Sequence, residues 1–481
     1  MTLDIQHSQE QPDPISMAGS DAKVIDAHNY RFRYTLDKIF EKFTQLETLN
    51  LSYCGITKLP ISLFALNSLK QLDISHNVIE QIPFELGSMQ NLQELDVSNN
   101  PFAVTLSKEC ELDSGHLIPF LRKLVQKNPK PQARTFAPIK NPPKKNGFML
   151  LSYNILAPYC VRPDRFPFSP PKYLNADQRI ALIEEQIIEF PVSIVCLQEV
   201  EGSVYKEKLE PFMHERGFHC TYCQKGRAEK LNEAFREMVH GQATFVRNSH
   251  LTVIKTECIQ YRNMQQAQLL PSFAELKKHD ETAIISIVQH KSAPNLFIAI
   301  VNIHLYWEQT GNDDVRTSQL YLALEAAKNI VKQHSSNYDI IIAGDFNSES
   351  QTTPHRWLVQ NGFFDVYDSF GLSPRFTIYG ASFHKTIDFI YSTVNKIRPI
   401  SILQSYNEEE ILQRYVAFPH DYFPSDHLPI VACFAMPKKN HTTSELFNTI
   451  QIDKPEKTPC TIAIGSGKSA KIVITKEKST D

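Results

Sequence analysis

Five apolar runs in this chain each meet a short polar cluster, and a chain built that way must bury the runs as strands while leaving their ends open. Tyr153-Asn154 closes the run from 148, Gln198-Glu199 the run from 192, and Asn302-Ile303-His304 the run from 297. Gly344-Asp345-Phe346-Asn347 follows Ile340-Ile341-Ile342, and Ser425-Asp426-His427 abuts the run 429–434. A sixth run, 387–391, carries Asp388. Runs of this length and apolarity read as buried strands. Between them, 177–190 places Ile180, Ile183 and Ile187 at helical spacing, and 318–331 does the same with Leu320, Ala323, Leu324 and Ala327. Strands interleaved with amphipathic helices imply an α/β (α+β) arrangement of sheets covered by helices over 148–437.

Composition narrows the class. At 481 residues the chain is long enough for two or three domains, and 42% hydrophobic with 21% charged residues describes a soluble globular protein. No apolar run reaches the roughly 20 residues needed to span a bilayer, and Met1-Thr2-Leu3-Asp4 opens no basic-then-apolar leader, so the expectation is an intracellular protein without membrane contact. A net charge of -3 argues against bulk electrostatic adhesion to nucleic acid and, the basic linker described below apart, points to a local groove for such contact. Nine scattered cysteines suggest no disulfide framework. Cys220 and Cys223 form a lone Cys-x-x-Cys that reads as packing thiols, with zinc binding as the alternative.

The first quarter is periodic. Leu46, Leu49, Leu51, Cys54 and Ile56 recur 23 residues later as Leu69, Leu72, Ile74, Asn77 and Ile79, then as Leu92, Leu95, Val97 and Asn100. This is the L-x-x-L-x-L-x-x-N/C pattern of leucine-rich repeats, whose leucines fill a stacked core while Asn or Cys satisfies backbone groups at the turn. The repeat domain is expected over 26–126, with 35–43 and 116–125 as caps. Its exposed face reads as a partner surface, the alternative being a purely stabilising element. Residues 127–147, rich in Pro and Lys, read as a semi-rigid linker of solvated charge, the alternative being contact with a phosphate backbone, and 1–25 and 438–481 read as disordered tails.

The polar clusters carry the chemistry. A hard divalent cation needs oxygen ligands, an attacked phosphodiester needs a base to orient water, and a departing oxyanion needs a positive or hydrogen-bonding neighbour. Glu199 is delivered by an apolar strand; alone it would read as a salt-bridged strand end. Asp345 and Asn347, two apart, share one side of an extended backbone, so Asp345 can accept a proton from water while Asn347 holds the water or a phosphate oxygen. Alone, that tetrapeptide could be a turn. Asp426 offers a second metal-binding carboxylate beside the His427 imidazole, and Asp388 is placed to orient that ring.

In this order the residues resemble the endonuclease/exonuclease/phosphatase superfamily, which implies a two-sheet sandwich flanked by helices. Leu197-Gln198-Glu199-Val200-Glu201, Lys225 with Arg227 and Lys230, the stretch 241–245, and His304-Leu305-Tyr306-Trp307 followed by 314–319 are similar to the carbon-catabolite-repression type of poly(A) deadenylase. So is a leucine-rich-repeat solenoid ahead of such a domain. The resemblance implies Mg²⁺, as two ions with Mn²⁺ able to substitute, held by Glu199 and Asp426 with Asn154, Asp345 and Asn347 around the metals. It implies that His304 and His427 contact phosphate, that Phe383 stacks on adenine, and that Lys225 and Arg227 contact substrate. Gln309 and Gln242 depart from the family pattern and bear on base selectivity.

The implied activity is 3′-to-5′ removal of AMP from single-stranded poly(A) RNA, in the cytoplasm and also the nucleus. The implied partners are a CAF-type deadenylase, docked on the repeats, and through it the NOT scaffold. Two other readings stand: a related phosphodiesterase or phosphatase acting on another nucleotide or RNA end, and a catalytically inert repeat scaffold.

Overall fold

The computed structural model describes residues 13–437 apart from 33–35, 37–38, 81–82, 107–110, 127–129, 139–146, 163–164, 167–168, 309–311, 381–382 and 394. By internal contacts the chain forms two units, one of repeats and one of sheets.

The repeat unit rests on four short parallel strands: β1 (Val24–Asp26), β2 (Thr48–Asn50), β3 (Gln71–Asp73) and β4 (Glu94–Asp96). Their register steps by one repeat, Leu49 opposite Leu72 and Leu72 opposite Leu95, so each leucine lands on the next in a buried column. Asn77 works as the repeat pattern requires. Its Oδ1 accepts from the Cys54 and Ile56 amides at 3.1 and 3.0 Å, and its Nδ2 donates to the Leu51 and Ile74 carbonyls at 2.9 Å. The helix Ser114–Val125 closes the stack with Leu117, Leu121 and Leu124 buried.

Two expectations change here. Residues 14–17 form a helical turn and β1 pairs with β2, so part of the stretch expected as a disordered tail is the first rung of the sheet. The segments 162–174 and 411–421, expected within the catalytic domain, group with the repeats; Lys123, for example, donates to the Leu412 carbonyl at 2.7 Å. Contacts across nearly 300 positions leave no local trace in a sequence. The C-terminal tail, 438–481, lies outside the described residues.

The second unit stacks two sheets. One has seven strands in the order β5 (Phe136–Pro138), β18 (Arg398–Leu403), β19 (Ile430–Ala435), β6 (Gly147–Asn154), β7 (Ile194–Glu201), β9 (His240–Arg247), β8 (Phe218–Gln224). The other has six: β10 (Leu251–Gln260), β11 (Thr282–His290), β12 (Phe297–His304), β13 (Tyr338–Asp345), β17 (Asp388–Ser392) and β14 (Phe364–Asp365). Leu150, Ile194 and Cys196 meet Ile298, Ile300 and Ile341 between the sheets. Alternate residues face outward: Leu151, Val195 and Leu197 lie under Ile180, Ile183 and Ile187 of the helix Ala176–Ile188. Val301, Ile303 and Ile342 lie under Leu320, Leu324 and Ala327 of the helix Asp313–Lys332. Both faces of each sheet are covered, which is why the strands are apolar throughout rather than alternating. The expected two-sheet sandwich flanked by helices is the observed fold.

β5 corrects the linker reading. It pairs with β18, Phe136 opposite Leu403, and Arg134 donates to the Pro429 carbonyl at 2.7 Å while lying over the Tyr406 ring. The Pro- and Lys-rich composition masked an edge strand, a sheet position where a proline such as Pro138 is tolerated. No helix among the described residues is long and apolar enough to cross a membrane.

Candidate active site

Strand register brings the polar ends together. β6 and β7 run parallel with Asn154 opposite Gln198, and β12 and β13 run parallel with His304 opposite Asp345. β17 runs antiparallel to β13 with Asp388 opposite Asp345. Gly344 allows the close approach of β13 to β12: its φ is +153°, and a Cβ there would stand 1.9 Å from the Ile303 carbonyl oxygen. Glu199 sits where the β7–β9 register shifts, between Leu197 and Val200, with a left-handed φ of 55°. That bulge turns its carboxylate out of the sheet's alternation and toward the strand ends.

Asp345 is the hub. Its Oδ2 accepts from Asn154 Nδ2 at 3.0 Å and lies 3.6 Å from His304 Nε2 and 3.7 Å from His427 Nε2. Its Oδ1 accepts from the Asn347 amide at 2.8 Å. His427 Nδ1 pairs with Asp388 Oδ2 at 2.8 Å. Asn154 Nδ2 also reaches Glu199 Oε1 at 3.2 Å, and the Ala157 amide donates to Glu199 Oε2 at 3.1 Å. Asn154, Asp345, Asp388, His304 and His427 are buried, while Glu199, Asn347 and Asp426 keep some access to solvent.

Electrostatics separate the carboxylates. Burial, reinforced by Asp388 and opposed by His427, pushes Asp345 up to about 7. Burial and the charge of Glu199 raise Asp426. For Glu199 burial is outweighed by His240, the Ala157 amide, His427 and Asn154, so it lies below its ordinary value. Burial opposes a charged His427, yet Asp388, Asp345 and Asp426 hold it well above the usual imidazole range. Burial, helped by Lys225, drives His304 and His240 well below theirs. Near neutral pH, then, the amides and His427 are what keep Glu199 ionised.

The donor set fits a hard divalent cation. Glu199 and Asp426 keep some access to solvent, and the charge of Glu199 raises Asp426, a cost that a bound cation would offset. Asp345, Asp388 and His427 also bring ligand atoms within 4.8 Å of one another. Asn154, expected among the groups around the metals, accepts from the Leu156 amide through Oδ1 at 3.0 Å and turns its nitrogen to the Glu199 and Asp345 carboxylates. Asn347 directs its Nδ2 to the Leu305 carbonyl at 2.8 Å.

Around this centre, Lys225 follows β8 and lies 3.6 Å from Glu281, within electrostatic reach of His304, whereas Arg227 is exposed and pairs with Asp280 at 3.7 Å. Phe383 is 44% exposed on the hairpin of β15 (Ile378–Gly380) and β16 (Phe383–Lys385). That hairpin is anchored beside the site by an Ile378–His427 bridge and by the Tyr379 amide on the Asp426 carbonyl at 2.9 Å. Gln242 is buried and spent on Thr282, to whose carbonyl it donates at 2.7 Å; Gln309 lies outside the described residues.

Two members of the polar clusters face elsewhere. Gln198 Nε2 donates to Asn302 Oδ1 at 2.8 Å, and Asn302 Nδ2 donates to the Ala243 carbonyl at 2.9 Å, a buried bridge between the sheets. Conversely, His240 was not singled out from sequence. It is buried, its Nδ1 has no partner among the described residues, and its ring stands 6.2 Å from that of His304. Its position at the start of β9, opposite Glu201 at the end of β7, is visible only once the strands are paired.

The 3′-5′-exoribonuclease subunit Ccr4 of the CCR4-Not complex from Candida albicans is 29% identical over 341 residues, 63% of this chain and 43% of that protein. Its namesake from Saccharomyces cerevisiae is 25% identical over 337 residues, 62% of this chain and 39% of that protein. A probable Ccr4 from Vairimorpha ceranae is 30% identical over 323 residues, 60% of this chain and 63% of that protein. The chain thus spans less than half the length of the first two. Among solved structures, ANGEL2, titled a 2′,3′-cyclic phosphatase, superposes with a TM-score of 0.51 at 18% identity, covering 64% of this chain and 99% of that one; the likeness is one of fold. Leucine rich repeat profiles match 44–102 and 91–124. The Endonuclease/Exonuclease/phosphatase profile matches 151–427, more than half of the chain and every strand end described above, and the chain belongs to that family.

Proposed function

We propose that the chain is an Mg²⁺-dependent 3′-to-5′ exoribonuclease that shortens the poly(A) tails of mRNA and releases 5′-AMP. The observation that carries the reading is the convergence of Asn154, His304 and His427 on Asp345, with Glu199 held by the same Asn154 and Asp388 paired to His427. The similarity to exoribonuclease subunits of the CCR4-Not complex supports the substrate class.

Glu199 and Asp426 would hold the metal, as two ions with Mn²⁺ as a substitute, which when bound would polarise the phosphate and stabilise the departing 3′ oxygen. Asp345, poised near neutrality, takes the proton of the attacking water, and Asn347 and His304 keep that water and a phosphate oxygen in place. His427, kept cationic by Asp388, faces the charge that develops on phosphate. Phe383 offers an exposed ring to an unstacked adenine, and Lys225 and Arg227 draw the backbone in.

The repeat surface serves a CAF-type nuclease that bridges to the NOT scaffold, with the protein acting in the cytoplasm and also the nucleus. Recovery of that nuclease by the full chain from purified components tests the docking, and no recovery counts against it. For the activity, purified chain with Mg²⁺ is given a 5′-labelled RNA ending in adenylates. Stepwise shortening that Glu199→Ala abolishes supports the reading. Equal rates on poly(U), or activity confined to small phosphate esters, sinks the poly(A) assignment.

A further inference from the structure

Arg179 belongs to none of the polar clusters, yet it is the largest fully buried side chain in the described residues, 1% exposed on the helix Ala176–Ile188. Its guanidinium donates to three backbone carbonyls: Ile155 at 2.7 Å and Leu156 at 2.6 Å through Nη2, and Pro424 through Nε. Each acceptor belongs to a peptide unit next to a site residue. A peptide unit is rigid, so fixing its oxygen fixes the direction of its N–H. The unit whose oxygen is that of Ile155 carries the Leu156 amide, which donates to Asn154 Oδ1 at 3.0 Å. The unit whose oxygen is that of Leu156 carries the Ala157 amide, which donates to Glu199 Oε2 at 3.1 Å.

The third acceptor, Pro424, immediately precedes Ser425, whose hydroxyl donates to the Asn154 carbonyl at 2.7 Å and accepts from the His427 amide at 3.1 Å. Leu156 holds a left-handed φ of 54°, a conformation that persists only where its surroundings impose it. The positive charge itself lies within electrostatic reach of Asp426, Glu199 and Glu201.

We propose that Arg179 is a positioning residue for the divalent-cation site: through two rigid peptide units it sets the directions of Glu199 and Asn154, and through Pro424 it holds the segment that carries Asp426, without touching substrate or ion. The inference rests on the proposed metal-dependent function and names the residue on which that site's geometry depends. A guanidinium can serve three acceptors in one plane; an ammonium in the same place keeps the charge and loses the fork.

The test reads ion binding without RNA. Full-length Arg179→Lys and Arg179→Met are titrated with Mn²⁺ by electron paramagnetic resonance, beside Ile183→Ala, which removes core packing from the same helix without reaching the site. Both Arg179 variants, folded by circular dichroism, are expected to bind Mn²⁺ about 10- to 100-fold more weakly than wild type, the usual loss when a residue that orients ligands is removed. Ile183→Ala is expected to lower the melting temperature and leave the affinity unchanged.

Wild-type affinity in Arg179→Lys overturns the proposal, because charge alone would then suffice. Equal weakening by Ile183→Ala overturns it, as does failure of both Arg179 variants to fold, since the residue would then serve the fold and not the site. If wild type binds Mn²⁺ but shortens no RNA, the proposed activity fails while the same titration still decides the role of Arg179. A wild-type chain that takes up no Mn²⁺ overturns both.

Discussion

Asp345 is the side chain through which pH acts most directly on this site. Its carboxyl, ordinarily near 3.8, is raised to about 7 in the folded chain. A group that binds its proton more tightly when folded contributes stability present below its unfolded value and lost as pH rises through its folded one. In excess chelator, the melting temperature of Asp345→Asn relative to wild type should therefore climb between pH 4 and pH 7 and level off above pH 8. A flat difference across that range would contradict the assignment. That Asp345, Glu199, Asp388, Asp426 and the two histidines form one group was legible only from the set, because taken singly such residues have ordinary structural readings. What each atom does was less so. Asn154 uses its oxygen on Leu156, and Gln198 and Asn302 turn between the sheets, because a bulge or a one-residue change of face decides whether a polar residue meets the cleft or the core.

At the scale of elements, the six expected strands and both expected helices exist, since burial on two faces writes itself as apolar runs and helical spacing. β8, β9, β10, β11 and β18 were not anticipated. They mix polar and apolar residues, and β10 and β8 are edges with one partner each. The Phe383 hairpin is similar: three exposed residues of β16 carry no hydrophobic signal. Phe383→Ala should weaken binding of an adenylate 3′ end by about 1–3 kcal/mol, as base–aromatic stacking contributes, leaving Mn²⁺ affinity unchanged; fluorescence anisotropy with a non-hydrolysable tail measures it. Gly344→Ala should destabilise the sandwich by about 1–3 kcal/mol, the usual cost of forcing extra atoms into a packed position, because β13 cannot keep its distance from β12 with a Cβ 1.9 Å from the Ile303 carbonyl oxygen. Denaturant melts with an unchanged m-value would establish this.

For the whole molecule, a site assembled from strand ends of both sheets should link ion binding to global stability. At Mn²⁺ about 100-fold above its dissociation constant, the folded state should gain about 2.7 kcal/mol, and Glu199→Gln should lose most of that gain; calorimetry with and without chelator decides it. The sequence by itself determined the repeat period, the stacked leucine and asparagine columns, the apolar strands and the residue types at their ends, because these are local patterns of burial and valence. Tertiary structure alone decided that 162–174 and 411–421 join the repeats, that β5 closes the edge of a sheet, that His240 enters the cleft, and that Arg179 sits beneath it. Each of these depends on a register or a contact between distant segments, and the energy that selects it is released only when both partners are already in place.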